Sequence, residues 1–272
     1  MPKEAGSPSG PVFFMGICHL VWFLSGSELR GGQMDFGDIS ERGLVLLGCG
    51  KMGSAMLEGW LKGGLAPESV WVQDPKPSDW VLAQGVHVNE GLPGAPSIVI
   101  VAVKPQMMGD ALPAIAALGN GSTVFLSIAA GTTIATFEEV LGGETPVIRV
   151  MPNTPAAIGR GISAMIGNDH VAADRLDLAE VLLSAVGKVV RLEGEHQMDA
   201  VTAVSGSGPA YVFHLIETLA AAGEAEGLSS ELASPHPSDA HLPTAPLCRP
   251  PTAKPRPNPG DLRPHDHCRS LR

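Results

Sequence analysis

The chain has 272 residues, of which 44% are hydrophobic, and this is enough apolar material for the cores of one or two domains. Its formal net charge is −10 and only 4% of its residues are aromatic. An acidic chain with few stacking side chains is not typical of a nucleic-acid-binding protein. The four cysteines form no CxxC pair, so we expect a reducing, cytoplasmic location rather than a disulfide framework.

The first 41 residues are predicted to be a disordered N-terminal extension. Their apolar run, residues 12–24, is shorter than the roughly 20 residues that span a bilayer. The residues before this run carry no net positive side-chain charge, so the run is not typical of a signal peptide. We therefore predict no membrane segment and expect Met34 to open the working protein.

Short β-rich runs alternate with amphipathic stretches between residues 44 and 150, which predicts an α/β fold with a doubly wound parallel sheet of the Rossmann type. Several of these runs are continuously apolar, as in strands that are covered on both faces. The predicted strands are 44–47, 70–72, 86–88, 98–103, 124–128 and 147–150. Residues 163–167 and 189–191 are predicted to extend the sheet, and residues 172–186 to form a helix.

A long helical segment is predicted to follow the sheet and to open an all-helical domain. Pro209 suits a first helical turn and Gly227 is placed to end the helix. Residues 229–272 hold ten of the chain's 24 prolines and show no apolar periodicity, so packing would not offset the cost of ordering them. The predicted domains are a Rossmann domain over 42–194, the start of a helical domain over 195–228 and a disordered tail over 229–272.

The six residues Gly48-Cys49-Gly50-Lys51-Met52-Gly53 have the pattern G-x-G-x-x-G. They follow a predicted strand and open a predicted helix, which is the context in which this pattern binds a dinucleotide. Gly48 permits the tight turn, Gly50 lets a pyrophosphate approach the backbone, and Gly53 allows close packing of helix and strand. A purely structural glycine turn is the alternative interpretation.

Two further features predict ligand contacts at the ends of strands. Asp74 ends the second predicted strand, where a carboxylate can bond a ribose 2′-hydroxyl. Its charge would repel a 2′-phosphate, which favours NADH, whereas Lys76 would attract one; both NADH and NADPH therefore stay open. Lys104 and Pro105 follow a buried strand at the edge where open α/β sheets bind ligands. An exposed loop lysine is the alternative for Lys104.

Five stretches together resemble the pyrroline-5-carboxylate reductase family in order and spacing, over about residues 42–228. They are residues 48–53, 102–105 (AVKP), 127–131 (SIAAG), 151–155 (MPNTP) and 199–211 (DAVTAVSGSGPAY). The resemblance implies NAD(P)H-dependent reduction of 1-pyrroline-5-carboxylate to L-proline. It also implies a helical domain that forms homodimers or higher oligomers and completes the substrate pocket. The reactivity belongs to the cofactor, and no Ser/His/Asp or Cys/His set indicates nucleophilic catalysis.

Cofactor contacts are assigned, by resemblance, to the glycine loop and the strand ends. They are Gly48, Cys49, Gly50, Lys51, Met52, Gly53, Asp74, Asn89, Ala102, Val103, Lys104, Pro105, Ile128, Ala129 and Ala130. Ser205 and Ser207 lie in a glycine-rich turn before a helix and are either adjacent to substrate or helix caps. We assign no catalytic residue, no metal ligand, and no nucleic-acid or membrane partner; the expected partner is a small-molecule substrate.

The C-terminal end departs from the family pattern. In the family, the helical domain continues past the position of Leu228 and carries a substrate loop of the type Thr-Ser-Pro-Gly-Gly-Thr, which residues 229–272 do not match. We therefore expect the dimerisation helices to be largely absent and the chain to have little or no reductase activity. The alternatives are another NAD(P)H-dependent imine or 3-hydroxyacid oxidoreductase and a non-catalytic nucleotide-binding remnant. The 3-hydroxyacid enzymes place a catalytic lysine in the second domain, whereas Lys188 lies beside a predicted strand.

Overall fold

The computed structural model describes residues 34–233, and its centre is an eight-stranded sheet. The strand order is β3-β2-β1-β4-β5-β6-β7-β8. The strands are β1 (Leu44–Leu47), β2 (Val70–Gln73), β3 (His87–Val88), β4 (Ile98–Val101), β5 (Val124–Ser127), β6 (Val147–Met151), β7 (Gly161–Gly167) and β8 (Gly187–Arg191). All neighbouring strands are parallel except β6 and β7. The predicted α/β fold with a mostly parallel Rossmann-type sheet is confirmed.

The central strands β1 and β4 are apolar along their whole length because both of their faces are covered. In β1, Leu44 and Leu46 belong to one buried cluster, whereas Val45 and Leu47 belong to another on the opposite face. Strands β4 and β5 are likewise buried at every position. This is the pattern expected of parallel strands that carry helices on both faces.

Helices cover both faces of the sheet. The helices are α1 (Ile39–Arg42), α2 (Lys51–Lys62), α3 (Asp79–Leu82), α4 (Met108–Ala111), α5 (Ile134–Leu141), α6 (Ala173–Ser184), α7 (Met198–Val201), α8 (Gly208–Ala225) and α9 (Ser230–Ala233). Helices α2 and α6 contribute to the same buried cluster. Trp60 of α2 is fully buried and its indole N–H donates to the carbonyl oxygen of Leu182 in α6 at 2.8 Å. Helix α5 packs into the cluster on the other face.

Some predicted strands differ from the observed ones at their ends. The stretch 98–103 was predicted as strand, but β4 ends at Val101 and the chain then leaves the sheet. Residues 161–167 form a longer strand than predicted, and its direction is opposite to that of β6. A short return from β6 through a 3₁₀ turn at Thr154–Ile158 makes this reversal possible, because a parallel crossover needs a dozen or more residues.

The prediction of a disordered extension over 1–41 is wrong for residues 34–41. Ile39 is completely buried and Phe36 nearly so, and both belong to the main core cluster. The carboxylate of Asp38 pairs with Arg175 of α6 at 2.7 Å and with Arg42 at 2.9 Å, and it accepts from the Ser97 hydroxyl. These contacts fix the segment because they join it to residues far along the chain. Residues 1–33, including the apolar run 12–24, lie outside the described residues.

The segment after the sheet is helical, as predicted. Helix α8 begins at Gly208, one residue before the predicted start, and the chain reverses at Gly227, whose φ is +96°. Residues 230–233 form the short helix α9, although they were predicted to be disordered; residues 234–272 lie outside the described residues.

The chain divides into two compact units, and the boundary lies between Pro209 and Ala210. The predicted boundaries of the Rossmann domain, the helical domain and the tail remain a prediction. Within residues 34–233, no helix has the length and apolar character needed to cross a membrane.

Candidate functional site

The glycine loop connects β1 to α2 at the carboxyl edge of the sheet. Gly48 has φ +86°, a conformation that favours glycine, and a Cβ there would lie 3.0 Å from the carbonyl oxygen of Ala102. A Cβ at Gly53 would lie 2.6 Å from the carbonyl oxygen of Gly48. Both positions therefore need glycine for close packing. By contrast, a Cβ at Gly50 would meet no atom within 4 Å, so the backbone at Gly50 faces open space at the start of α2.

The first turn of α2 is able to hold an anion. Gly50 is the N-cap, and no side chain caps this helix end. The free N–H groups at the start of a helix point outward and carry partial positive charge, which stabilises a phosphate group. The open space at Gly50 is where the pyrophosphate of a dinucleotide would approach. This geometry fits the cofactor that the sequence predicts.

Three neighbouring strand ends meet through Asp74 and Asn89. The Asp74 carboxylate accepts from the N–H of Cys49 at 2.7 Å and from the N–H of Lys76 at 2.7 Å. The Asn89 amide accepts from the Asp74 N–H at 3.0 Å and donates to the Asp74 carbonyl oxygen at 2.8 Å. These bonds link the ends of β1, β2 and β3. The two predicted adenosine-side residues are therefore adjacent, and both are hydrogen-bonded within the chain.

The other predicted cofactor residues follow β4 and β5 at the same edge. The Ala102 N–H donates to the Leu47 carbonyl at 2.8 Å, and the Ile128 N–H donates to the Val101 carbonyl at 3.1 Å, so these loops start beside the glycine loop. Val103 approaches Gly48 closely, since a Cβ on Gly48 would lie 2.9 Å from its Cγ1. The rest of this set, Lys104, Pro105, Ala129 and Ala130, lies in the same two loops.

Three exposed lysines carry the positive charge of this edge. Lys51 opens α2, Lys76 follows β2, and Lys104 precedes the 3₁₀ turn Pro105–Met107. Within residues 34–233, none of these three forms an ion pair with an acidic side chain. Lys104 is exposed, which agrees with the alternative interpretation of an exposed loop lysine. It nevertheless lies at the carboxyl edge of the sheet, beside the other predicted cofactor residues.

Cys49 is a buried residue of the glycine loop. Its Sγ lies 3.5 Å from the Ser54 hydroxyl. Burial raises the pKa of the Cys49 thiol, the Ser54 hydroxyl acts in the opposite direction, and the nearby Asp74 charge adds to the rise. The thiol is therefore protonated at neutral pH and is a packing group of the loop. Within residues 34–233, no group of three or more His, Cys, Asp or Glu side chains gathers to hold a metal ion.

Ser205 and Ser207 lie in a turn beside the end of β6. Residues Thr202–Gly206 form a π-helical turn, a geometry that is frequent at functional sites. The Ser207 hydroxyl donates to the Thr202 carbonyl at 3.1 Å, so it closes the turn. The Ser205 hydroxyl lies 3.5 Å from the Asn153 amide nitrogen. Of the two serines, Ser205 is the one that lies towards the strand end.

Two residues of this region were not singled out from the sequence. Asn153 follows β6, and its side-chain oxygen accepts from the Ile162 N–H at 2.9 Å, which turns its amide nitrogen towards Ser205. Arg149 is buried in β6 and pairs at 2.7 Å with Glu195, whose same oxygen accepts from the Ile134 N–H at the start of α5. Asn153 belongs to the MPNTP stretch, so the sequence contained a signal that could have identified it as a site residue. The partner of Arg149 is 46 residues away, and no sequence pattern indicates this pair.

Two family models match the chain. One is described as pyrroline-5-carboxylate reductase dimerisation and matches residues 195–255; the other is described as NADP oxidoreductase, coenzyme F420-dependent, and matches residues 44–131. The first match continues past Leu228, the position at which the resemblance noted in the sequence ends. It does not confirm the expected loss of the dimerisation helices.

Several known proteins with similar sequences and structures are pyrroline-5-carboxylate reductases. The Pseudomonas aeruginosa protein is 38% identical over 197 residues, 70% of this chain and 72% of its own length. The Mycobacterium tuberculosis protein is 39% identical over 203 residues, with 70% and 68% covered. The structure of the Coxiella burnetii enzyme aligns with a TM-score of 0.65 at 30% identity. The alignment covers 71% of this chain and 74% of the Coxiella burnetii chain. The Plasmodium falciparum enzyme with NADP bound has a TM-score of 0.63 at 31% identity, with 71% and 73% covered.

Proposed function

The chain belongs to the pyrroline-5-carboxylate reductase family, and we propose that it reduces 1-pyrroline-5-carboxylate to L-proline with NADPH or NADH. The observation that carries this proposal is the open backbone at Gly50, at an uncapped helix start inside a parallel β-α-β unit. Of the three glycines in the loop, Gly50 is the one at which an added Cβ would meet no atom within 4 Å, which leaves room for a pyrophosphate to approach the backbone N–H groups. The NADP bound to the Plasmodium falciparum relative supports the same cofactor class.

The proposed cofactor contacts are those assigned from the sequence. The loop from Gly48 to Gly53 would hold the pyrophosphate through backbone N–H groups, and Lys51 would add positive charge beside it. Asp74 and Asn89 would lie on the adenosine side, and residues 102–105 with 128–130 on the nicotinamide side. The bound cofactor would supply the hydride. The remaining task of the protein is to hold the imine carbon within reach of that hydride.

The substrate side of the proposed site lies at the end of β6. We propose that the Ser205 turn, held near Asn153, borders the substrate, while Ser207 serves to close the turn. The Asn153 amide nitrogen and the Ser205 hydroxyl are polar groups able to bond the substrate carboxylate or its ring nitrogen. No group in this region is assigned as a proton donor.

We also propose that two copies of the chain associate through residues 195–255, the segment that matches the dimerisation family model. Helix α8 carries an apolar stripe in which Tyr211, Leu215 and Leu219 recur at helical spacing, and each of these side chains is more than half exposed. Exposed apolar side chains in such a stripe are typical of a contact surface. Light scattering coupled to gel filtration distinguishes a monomer from a dimer and so tests this proposal. A monomer would instead support the expectation that most dimerisation helices are missing.

A steady-state assay of the 272-residue chain tests the reductase proposal. Synthetic 1-pyrroline-5-carboxylate is supplied with NADH or NADPH, and the proline formed is quantified by mass spectrometry. Proline that appears in step with cofactor oxidation supports the proposal. Cofactor oxidation only with other imines or with 3-oxoacids would favour the second oxidoreductase class, and cofactor binding without turnover would favour a non-catalytic remnant. A rate near that of the Pseudomonas aeruginosa relative would contradict the expectation of little or no reductase activity.

A cytoplasmic location is part of the proposal and rests on the absence of a cysteine pairing pattern. Fractionation of cells that express the tagged chain would test it. Recovery in a secreted or membrane fraction would refute this part alone.

A further inference from the structure

The carboxylate of Asp74 is engaged by the main chain on both of its oxygens. Its Oδ2 accepts from the Cys49 N–H at 2.7 Å, and its Oδ1 accepts from the Lys76 N–H at 2.7 Å. The first bond joins the end of β2 to the second residue of the glycine loop, and the second closes the turn that follows β2. Bonds to an ionised acceptor are short and strong, so together they hold the carboxylate in one orientation.

The main chain of Asp74 is fixed as well. Asn89 bonds both its N–H and its carbonyl oxygen, at 3.0 and 2.8 Å. Asn89 itself donates from its N–H to the Val72 carbonyl at 2.9 Å and has φ +55°, which asparagine adopts more readily than most residues. The end of β2 is therefore anchored to β3, and from this anchor the Asp74 side chain reaches the loop after β1.

We propose that Asp74 is a positioning residue for the phosphate loop. Through the Cys49 N–H it orients the peptides that lead into Gly50, and so sets the direction of the N–H groups at the start of α2. This inference rests on the proposed function, in which a dinucleotide pyrophosphate lies over Gly50. The pyrophosphate is common to NADH and NADPH. Asp74 therefore strengthens the binding of both to the same extent, and it does not produce the NADH preference that its charge predicts.

The test compares Asp74→Asn and Asp74→Ala with the wild-type 272-residue chain. NADH and NADPH are each titrated into the folded proteins while nicotinamide fluorescence is followed. The dissociation constants for both cofactors should rise by the same factor, about tenfold for the alanine variant, because a charge-assisted hydrogen bond to the loop is lost. The asparagine variant should lie between wild type and alanine, since an amide keeps one acceptor oxygen.

Glu90→Gln is the matched control. Glu90 is an exposed carboxylate near the same strand ends, and its side chain pairs with His87 rather than with the glycine loop. Its neutralisation removes a negative charge without changing the loop, and it should leave both constants within about twofold of wild type. Circular dichroism establishes that each variant is folded before titration.

Several outcomes would overturn the inference. A merely structural role for Asp74 would lower the unfolding midpoint and leave both dissociation constants of the folded chain unchanged. Tighter NADPH binding with unaltered NADH binding would show that Asp74 acts by repelling the 2′-phosphate. A wild-type chain that binds neither cofactor would refute the proposed function, and this inference with it.

Discussion

The two edges of the central sheet use their charges in opposite ways. At the amino edge, Asp38 receives hydrogen bonds from two arginines and a serine hydroxyl, so its charge is neutralised within the protein. At the carboxyl edge, Lys51, Lys76 and Lys104 are exposed, and among the described residues they have no acidic partner in an ion pair. Charges that are paired internally stabilise the fold, whereas unpaired positive charges beside an open helix start are available to an anionic ligand.

The two edges also differ in what occupies them. The carboxyl edge needs Gly48 and Gly53 because backbone atoms approach each other closely there, while Gly50 leaves open space. The amino edge is closed by long side chains. Arg175 spans from α6 to Asp38, and Arg42 reaches the carbonyl oxygens of Pro96 and Ser122. One edge is therefore closed by side chains, and the other is open at Gly50.

The largest effect is expected from Gly50→Val at the open edge. Gly50 has a negative φ of −70° and an added Cβ would meet no atom within 4 Å, so the fold has room for valine, whose side chain would occupy the space proposed for the pyrophosphate. Cofactor affinity should fall by about a hundredfold. Gly143→Val is the control, because a Cβ there also meets nothing within 4 Å and the position lies in the turn before β6. Equal affinity in the two folded variants would remove the glycine loop from the site.

A loss of stability is expected from Asp38→Ala at the closed edge. The change leaves Arg175 and Ser97 without their acceptor, and the free energy of unfolding should fall by roughly 2 kcal/mol, as for other hydrogen bonds to charged groups. Asp174→Asn is the control, since Asp174 meets the same arginine at 3.5 Å but is largely exposed; it should change stability by less than about 0.5 kcal/mol. Urea unfolding followed by circular dichroism measures both. Similar losses in the two variants would show that the Asp38 cluster has no special role.

The contribution of Asp38 should also depend on pH. The Arg175 guanidinium holds the pKa of Asp38 well below its ordinary value, with help from Ser97 and Arg42 and against the opposing effect of burial. Because the pKa of the folded state is the lower one, the stabilisation is fully present above the unfolded value of about 4 and is lost as the pH falls below it. The stability difference between wild type and Asp38→Ala should be smaller at pH 3 than at pH 6. A difference that stays constant would contradict the ion pair.

The smallest effects are expected from the lysines of the open edge. Lys104→Ala and Lys51→Ala should each weaken cofactor binding by only about two- to fivefold, because exposed charges contribute roughly 0.2–1 kcal/mol. The loss should shrink as salt is added, since salt screens exposed charges. Lys62→Ala, at the far end of α2, is the control. A large loss that does not depend on salt would show that a lysine makes a direct buried contact.

Much of the sheet follows from local patterns. Strand β1 is apolar at every position and β5 at every position except Ser127, so residues 44–47 are predicted without error and residues 124–128 to within one residue. The predicted end at residue 103 was too long because the apolar run continues through Ala102 and Val103, which pack against the glycine loop after leaving the sheet. Apolar character indicates burial rather than strand structure, and Ala102 and Val103 remain partly buried although they lie outside the strand.

The sequence by itself determined the fold class, the family and the glycine loop, because each depends on short stretches of neighbouring residues. In the glycine loop, a strand, a turn and a helix start lie within 20 or so positions. Only the tertiary structure decided how the charged groups are used. Asp38 meets Arg175 across 137 positions, and Asp74 turns its carboxylate to Cys49 across 25 positions. The direction of a side chain depends on which distant groups fold beside it. The same type of residue, an aspartate near a strand end, therefore closes one edge of the sheet and supports the open loop at the other.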